Sequence, residues 1–174
     1  QMDEGLDTGP MLLSKVEPIF DKDTTGTLHD RLATLGGQLI VEALHKLAQG
    51  MLHATAQPAE GITYASKIAK EEAALDFRLP AEKLIRRIHA CNLFPGALAH
   101  MNGTPIKIWQ AQVTQGSGNP GQVLSADANG VVVACDTGAL LLTELQKPGG
   151  KRLAAAQFLQ GFPLQQGQGF EIPV

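Results

Sequence analysis

Only two cysteines, Cys91 and Cys135, occur among 174 residues. A disulfide scaffold and an all-cysteine zinc site are thereby excluded, and the usage suits a reducing compartment. No apolar run approaches the ~18 residues that a membrane span needs. The opening stretch, QMDEGLDTGP, is acidic and lacks the pattern of a secretory leader. There are no internal repeats, no P-loop and no GxGxxG. The five histidines are unclustered, so the sequence points to no metal site. Net charge is −3, which excludes a strongly basic nucleic-acid binder. The first residue is Gln1 rather than Met, and the chain reads as a portion of a longer one.

What is present suffices for a core: 44% of the residues are apolar and 18% charged. The length allows one ordinary domain, or one small domain and part of another. The 19 Gly and 10 Pro are dispersed, which points to many turns and a β-rich fold. Charge is unevenly spread. Residues 1–75 hold 6 Lys/Arg and 11 Asp/Glu, and residues 76–174 hold 8 and 6, giving −5 and +2. Such asymmetry suits two units with different partners, although ordinary scatter accounts for it as well.

MLLSKVEPIF (Met11–Phe20) reads as a strand ended by Pro18. A helix follows, with Thr27 as its cap and Asp30 three residues on. Leu28, Leu32, Leu35, Leu39, Ala43 and Leu47 line one face of it. Gly36-Gly37 predicts a kink or a break, and Gly50 a stop. Residues 51–75 lose periodicity and read as a surface linker. Pro80 opens a second helix whose buried stripe is Leu84, Ile85, Ile88 and Cys91.

Beyond Pro95 five short apolar segments alternate with turns: ALAHM, IKIWQAQV, QVL, VVVAC and ALLLTEL. Asn102-Gly103 and Asp136-Thr137-Gly138 are hairpin turns. Strict alternation places Lys107, Trp109 and Ala111 on one strand face and Ile106, Ile108 and Gln110 on the other. A short helix at Ala154–Leu159 completes the pattern. Five strands with one helix suit a Greek-key, OB-like barrel.

Three stretches are similar to the methionyl-tRNA formyltransferase family. MDEGLDTGPML (Met2–Leu12) resembles the loop that folate-dependent formyltransferases close over the pterin. TYASKIAKEEAALDF (Thr63–Phe77) resembles the linker of the tRNA-modifying members. IRRIHACNLFPGA, IKIWQA, PGQVL and LLLTELQKPGGKRLAAAQFLQG resemble their C-terminal barrel. Departures are Cys91-Asn92-Leu93-Phe94-Pro95 for the family's Phe-Asn-Pro-Trp-Pro, and Phe77 for its Trp; each keeps an apolar residue.

The resemblance implies an α/β fragment, the C-terminal end of a Rossmann-like catalytic domain (residues 1–50). A linker (51–75) and a mostly β, OB-like tRNA-binding barrel (76–174) follow. It implies a cytoplasmic enzyme, monomeric when full length, with no membrane, DNA or metal partner. That enzyme passes the formyl group of 10-formyltetrahydrofolate to the amine of methionyl initiator tRNA. By position Asp7 matches the catalytic aspartate, and Asp3, Glu4, Gly5 and Leu6 line the folate site. The family's Asn-x-His pair has no counterpart here, so the chain alone is expected to be inactive. The implied tRNA-binding residues are Lys67, Lys70, Arg86, Arg87, Lys147, Lys151 and Arg152.

Each has a plainer reading. Asp7 suits a turn aspartate, and Asp3-Glu4-Gly5 a solvated acidic turn. Lys67 and Lys70 suit linker charges paired with Glu71 or Glu72. The later cations suit an ordinary solvated surface. Trp109 suits a core residue or a base-stacking platform, and the two cysteines suit buried fillers. Two other functions fit less of the sequence. A sugar-nucleotide formyltransferase shares the first motif, but not the two-lysine linker or the GGKR…AAAQFL ending. A non-catalytic RNA-binding module has no use for the DEGLDTGP loop.

Overall fold

The computed structural model describes residues 1–173. It divides into two compact units, Gln1–Lys67 and Ile68 onward.

The first unit holds one long helix, α1 (Thr25–Ala48). Its cap is Thr24 rather than Thr27. The Thr24 hydroxyl accepts from the Thr27 amide at 3.2 Å, and the Thr27 hydroxyl accepts from the Thr24 amide at 3.0 Å. Thr27 is thus the third residue of a reciprocal capping box. The helix runs unbroken through Gly36 and Gly37, where the expected break does not occur. Gly50 does end it, in the left-handed region at φ +69°.

Met11–Phe20 forms no strand. Its regular pairing is a single bridge from Met11 to Thr55. Val16 and Ile19 stand 92% and 75% exposed, since alternation yields a strand only where a partner strand exists. Instead, Arg31 ties the segment to α1. Its Nε donates to Glu17 at 2.6 Å, its Nη2 to the Pro18 carbonyl and to Asp23, and its guanidinium lies over Phe20. Gly26 is the unit's one buried residue among those described.

The second unit holds a short 3-10 turn (Lys70–Ala73), α2 (Ala81–Cys91), six strands and α3 (Ala155–Gly161). The strands are β1 (Ala97–Met101), β2 (Thr104–Thr114), β3 (Val123–Asp127), β4 (Gly130–Ala134), β5 (Ala139–Gln146) and β6 (Leu153–Ala154). All pairings between them are antiparallel, in the order β1-β2-β5-β4-β3, with β6 on β5. The β3-β4-β5 meander takes β2 beside β5, a Greek-key arrangement. Leu84 and Ile88 of α2, Phe158 of α3, and Ile108, Leu142 and Leu145 of the sheet share one core.

The expected barrel is not closed: β1 and β3 are the two ends of the ladder. The C-terminal segment lies along both. The Gly167 and Phe170 amides donate to Val123 and Gly121, the Val123 amide donates to Gln168, and the Glu171 amide donates to His100 of β1. No regular ladder forms there, so the sheet remains open.

A bulge in β2 overturns the strict alternation. Ile108 pairs with Leu145 and Gln110 with Glu144, so the ladder passes over Trp109. Beyond it the faces exchange. Ala111 joins Ile106 and Ile108 in the core, and Gln110 is exposed.

Candidate aspartate loop and nucleic-acid interface

In the first unit, the sequence DEGLDTGP folds into a self-bonded loop. Asp3 Oδ1 accepts from the Gly5 amide at 3.0 Å and from the Thr8 hydroxyl at 2.6 Å, the Asx-turn pattern of a short acidic side chain. Asp7 sits in the left-handed region at φ +56°, which is uncommon for a non-glycine residue but more accessible to Asp than to most. Gln57 Nε2 donates to the carbonyls of Asp7 and Gly9, both at 2.7 Å. Met11 and Thr55 exchange two backbone hydrogen bonds of 2.8 Å. Gln57 was not legible in the sequence, because it acts on the loop from 50 residues away.

Asp3, Gly5, Leu6 and Asp7 line one concavity of about 420 Å³, together with Gly9, Pro10 and Gln57. Glu4 does not line it. No hydrogen bond or ion pair among the described residues engages the Asp7 carboxylate, which leaves its lone pairs open to a ligand. No histidine lines the concavity.

In the second unit, the implied RNA-binding cations separate into two groups. Lys107 and Lys147 line a depression of about 350 Å³ with Leu98, Pro105, Gln146 and Pro148. Lys151 and Arg152 follow the Gly149-Gly150 turn in the chain, are exposed and do not line the depression. Arg86 and Arg87 lie on α2 and do not line the depression. Arg87 has a structural partner, donating to the Ala74 carbonyl at 3.0 Å. Lys70 is exposed on the 3-10 turn, and Lys67 is exposed at the end of the first unit. Lys107 belongs with the cations of the second unit that suit an RNA backbone. Its pairing with Gln146 across β2 and β5 places it there.

Trp109 is buried rather than an open platform. It is 4% exposed, yet it stands outside the shared core. The bulge turns its ring toward the cations, and Asn92 Nδ2 takes the carbonyl that the ladder leaves unpaired, at 2.9 Å. The indole Nε1 donates to Gln146 Oε1 at 2.8 Å. The Arg152 guanidinium carbon lies 3.4 Å from the ring centroid, and Lys107 Nζ lies 5.4 Å from it. Lys107 Nζ also donates to the Pro95 carbonyl. Gly96 (φ +84°) abuts the ring edge, where a methyl group would fall 2.9 Å from Cη2.

The thiols offer no nucleophile. Burial raises the Cys91 thiol above its usual range and pushes Cys135 up to about 11, so both stay protonated at neutral pH. Among the described residues no group of His, Cys, Asp and Glu is placed to hold a metal, and no helix is long and apolar enough to cross a membrane.

Two family models match this chain. "Formyl transferase, C-terminal domain" covers residues 67–163, more than half of it, and "Formyl transferase" covers residues 1–44. The chain belongs to the formyl transferase family. Similar proteins include the methionyl-tRNA formyltransferase of Ralstonia pickettii, 60% identical over 174 residues (98% of this chain and 53% of that one). Those of Aromatoleum aromaticum and Herminiimonas arsenicoxydans are 57% and 60% identical, over 98% and 95% of this chain and 54% and 53% of theirs. This formyl transferase chain thus spans about half the length of the curated relatives it matches. Among solved structures, a HypX variant from Aquifex aeolicus superposes with a TM-score of 0.73 at 20% identity, covering 92% of this chain and 29% of its own. HypX crystallised with tetrahydrofolic acid superposes with a TM-score of 0.59 at 20% identity, covering 78% of this chain and 26% of its own. At that identity the likeness is one of fold.

Proposed function

We propose that this chain is the C-terminal part of an enzyme that transfers a formyl group from 10-formyltetrahydrofolate to the amine of methionyl initiator tRNA. The observation that carries the reading is identity of up to 60% to relatives named methionyl-tRNA formyltransferase, over nearly the whole chain. The two sites fit it. The 420 Å³ concavity is of the size class that takes a small organic ligand. The folate donor meets it through Asp3, Gly5 and Leu6, largely by backbone groups, and Glu4 flanks it in the chain. The second unit brings Lys107 together with Lys147 and with Arg152, the chemistry of backbone-phosphate recognition, and Lys151 adds an exposed cation next to Arg152 in the chain. Lys67, Lys70 and Arg86 add cations to the RNA interface. Arg87 serves it more weakly, because its guanidinium is already engaged. The setting is the cytoplasm, and no metal takes part.

In the reaction the methionyl amine attacks the formyl carbon. A C–N bond forms, the bond to the folate nitrogen breaks, and the proton lost by the amine is balanced by one gained by the released folate nitrogen. Asp7, an unengaged carboxylate held at a fixed backbone angle, orients or takes up that proton. The tetrahedral oxyanion needs hydrogen-bond donors, which the family's Asn-x-His pair supplies. This chain contains no such pair, so the 174 residues alone are expected to give no turnover. Formyl-methionyl-tRNA produced by the isolated chain would overturn that expectation. The relatives' names give no support to a sugar-nucleotide substrate.

The decisive test is binding of the 174-residue chain to charged initiator tRNA at two salt concentrations, against a duplex RNA control. Salt-sensitive binding that prefers the tRNA is expected. No binding by a folded sample overturns the assignment of RNA recognition to this chain.

A further inference from the structure

We infer that Trp109 is a positioning residue that holds Arg152 ready for an RNA phosphate, and that Gln146 locks both to the turn carrying the other cations. The inference deepens the RNA-binding reading and rests on it.

Three features set this cluster apart from ordinary surface charge. First, the indole is closed on the sides a base would need. Arg152 covers the ring at 3.4 Å, Gly96 meets its edge, and Gln146 holds its only donor. With the residue only 4% exposed, a nucleobase has no free face to stack on, and Trp109 acts through Arg152. Second, the Gln146 amide is fixed in sense by its partners. The indole N–H can only donate, so Oε1 must face it. Nε2 is then left to donate to the Gly150 carbonyl, at 2.7 Å. Gly150 closes the Lys147–Gly150 turn through its amide, at 3.0 Å to the Lys147 carbonyl. One side chain thus joins the ring to the loop that bears Lys147, Lys151 and Arg152. Third, Arg152 has no acidic partner among the described residues. Its contact is the ring, which restrains the guanidinium while leaving its fork of N–H donors unspent. A restrained, unpaired fork suits the planar, bidentate geometry of a phosphate. The surroundings are cationic as well, with Lys107 beside the ring and Lys147 beside the depression.

The experiment uses the 174-residue chain with charged initiator tRNA as probe, and compares Arg152→Ala, Trp109→Leu, Trp109→Phe and the double variant Trp109→Leu/Arg152→Ala. Arg152→Ala is expected to weaken binding about tenfold and to lower the slope of log affinity against log salt by about 1. Trp109→Leu should weaken it severalfold in the native background and leave the Arg152→Ala variant unchanged. Trp109→Phe, which keeps a ring beneath the guanidinium, should retain most of the affinity. Independent, additive losses for Trp109 and Arg152 would overturn the inference, because a base-stacking or merely structural tryptophan behaves that way. Gln146→Leu, a change outside the core, replaces Trp109→Leu in the same cycle if the latter fails to fold.

The native chain binding no tRNA would sink the interface reading, and the positioning role would then be decided on the free protein. The Arg152 Nε–H resonance should be restrained in the native chain and averaged in Trp109→Leu. An averaged signal in both would overturn it.

Discussion

The two units of this chain are held together by different physics. Residues from Ile68 onward form a core in which Leu84, Ile88, Leu140, Leu142 and Leu145 are wholly buried. Residues 1–67 bury a single glycine among those described, while Ile40, Val41, Leu44 and Leu47 on α1 are more than half exposed. Order in that first unit comes from directed polar contacts: the Thr24 capping box, the Arg31 strap and Gln57 across the aspartate loop. Apolar burial tolerates a change of surface charge, whereas a polar strap fails when one partner changes its protonation or length.

The sharpest way to break the comparison is a matched pair of truncations. Leu142→Ala, at a site with 0% exposure, should destabilise the second unit by about 2–5 kcal/mol. Leu44→Ala, at 57% exposure, should change stability by no more than about 0.5 kcal/mol. Urea unfolding followed by Trp109 fluorescence reads the first, since Trp109 is the only tryptophan. Equal losses at the two sites would dissolve the distinction.

A smaller effect is expected at the α1 cap. Thr24→Ala removes the hydroxyl that accepts the Thr27 amide and should cost the helix about 1 kcal/mol. Hydrogen exchange should then accelerate at the first turn of α1 and remain unchanged in β2 and β5. Smaller again, and opposite in sign, is Gly36→Ala. A methyl group there meets nothing within 4 Å, so the helix should gain about 0.5–1 kcal/mol.

The smallest effect is one of pH. Hydrogen bonds from Arg31, then from the Phe20 amide, hold the Asp23 carboxyl well below the usual carboxylate range. A depressed folded value means that the stabilisation is present above the unfolded pKa of about 3.9, and is lost as pH falls through the folded value. Exchange protection around Asp23 and Arg31, relative to the intrinsic rate, should therefore fall as pH drops below about 4, and Arg31→Ala should weaken that dependence. The pair is partly solvated, which keeps the effect modest.

Local chemistry made much of the second unit legible. Asn102-Gly103 predicts the β1-β2 hairpin, and both residues take positive φ, +52° and +72°. Short apolar runs between turn residues mark β1 to β5, and the Leu84–Ile88 stripe marks α2. Three features were not legible, each because it depends on a distant partner. The Met11–Phe20 alternation suggests a strand, but no second strand meets it. The β2 bulge moves Ala111 to the core face, a change no periodicity announces. The Trp109 niche needs Gln146, which lies 37 residues on. The aspartate loop was recognisable as a motif, whereas the side chain that holds it was not.

The C-terminal segment that borders both ends of the ladder has a practical consequence. An uncovered strand edge is a template for a neighbouring molecule. Gly167–Glu171 occupies those positions on β3 and β1, so it works as a built-in stopper against intermolecular pairing. A chain shortened to Leu164 would lose buried Phe170 with its contact to Phe77, and would uncover the edge of β3. Concentration-dependent self-association should then accompany the loss of stability, and a purification tag is best separated from Glu171 by a polar spacer.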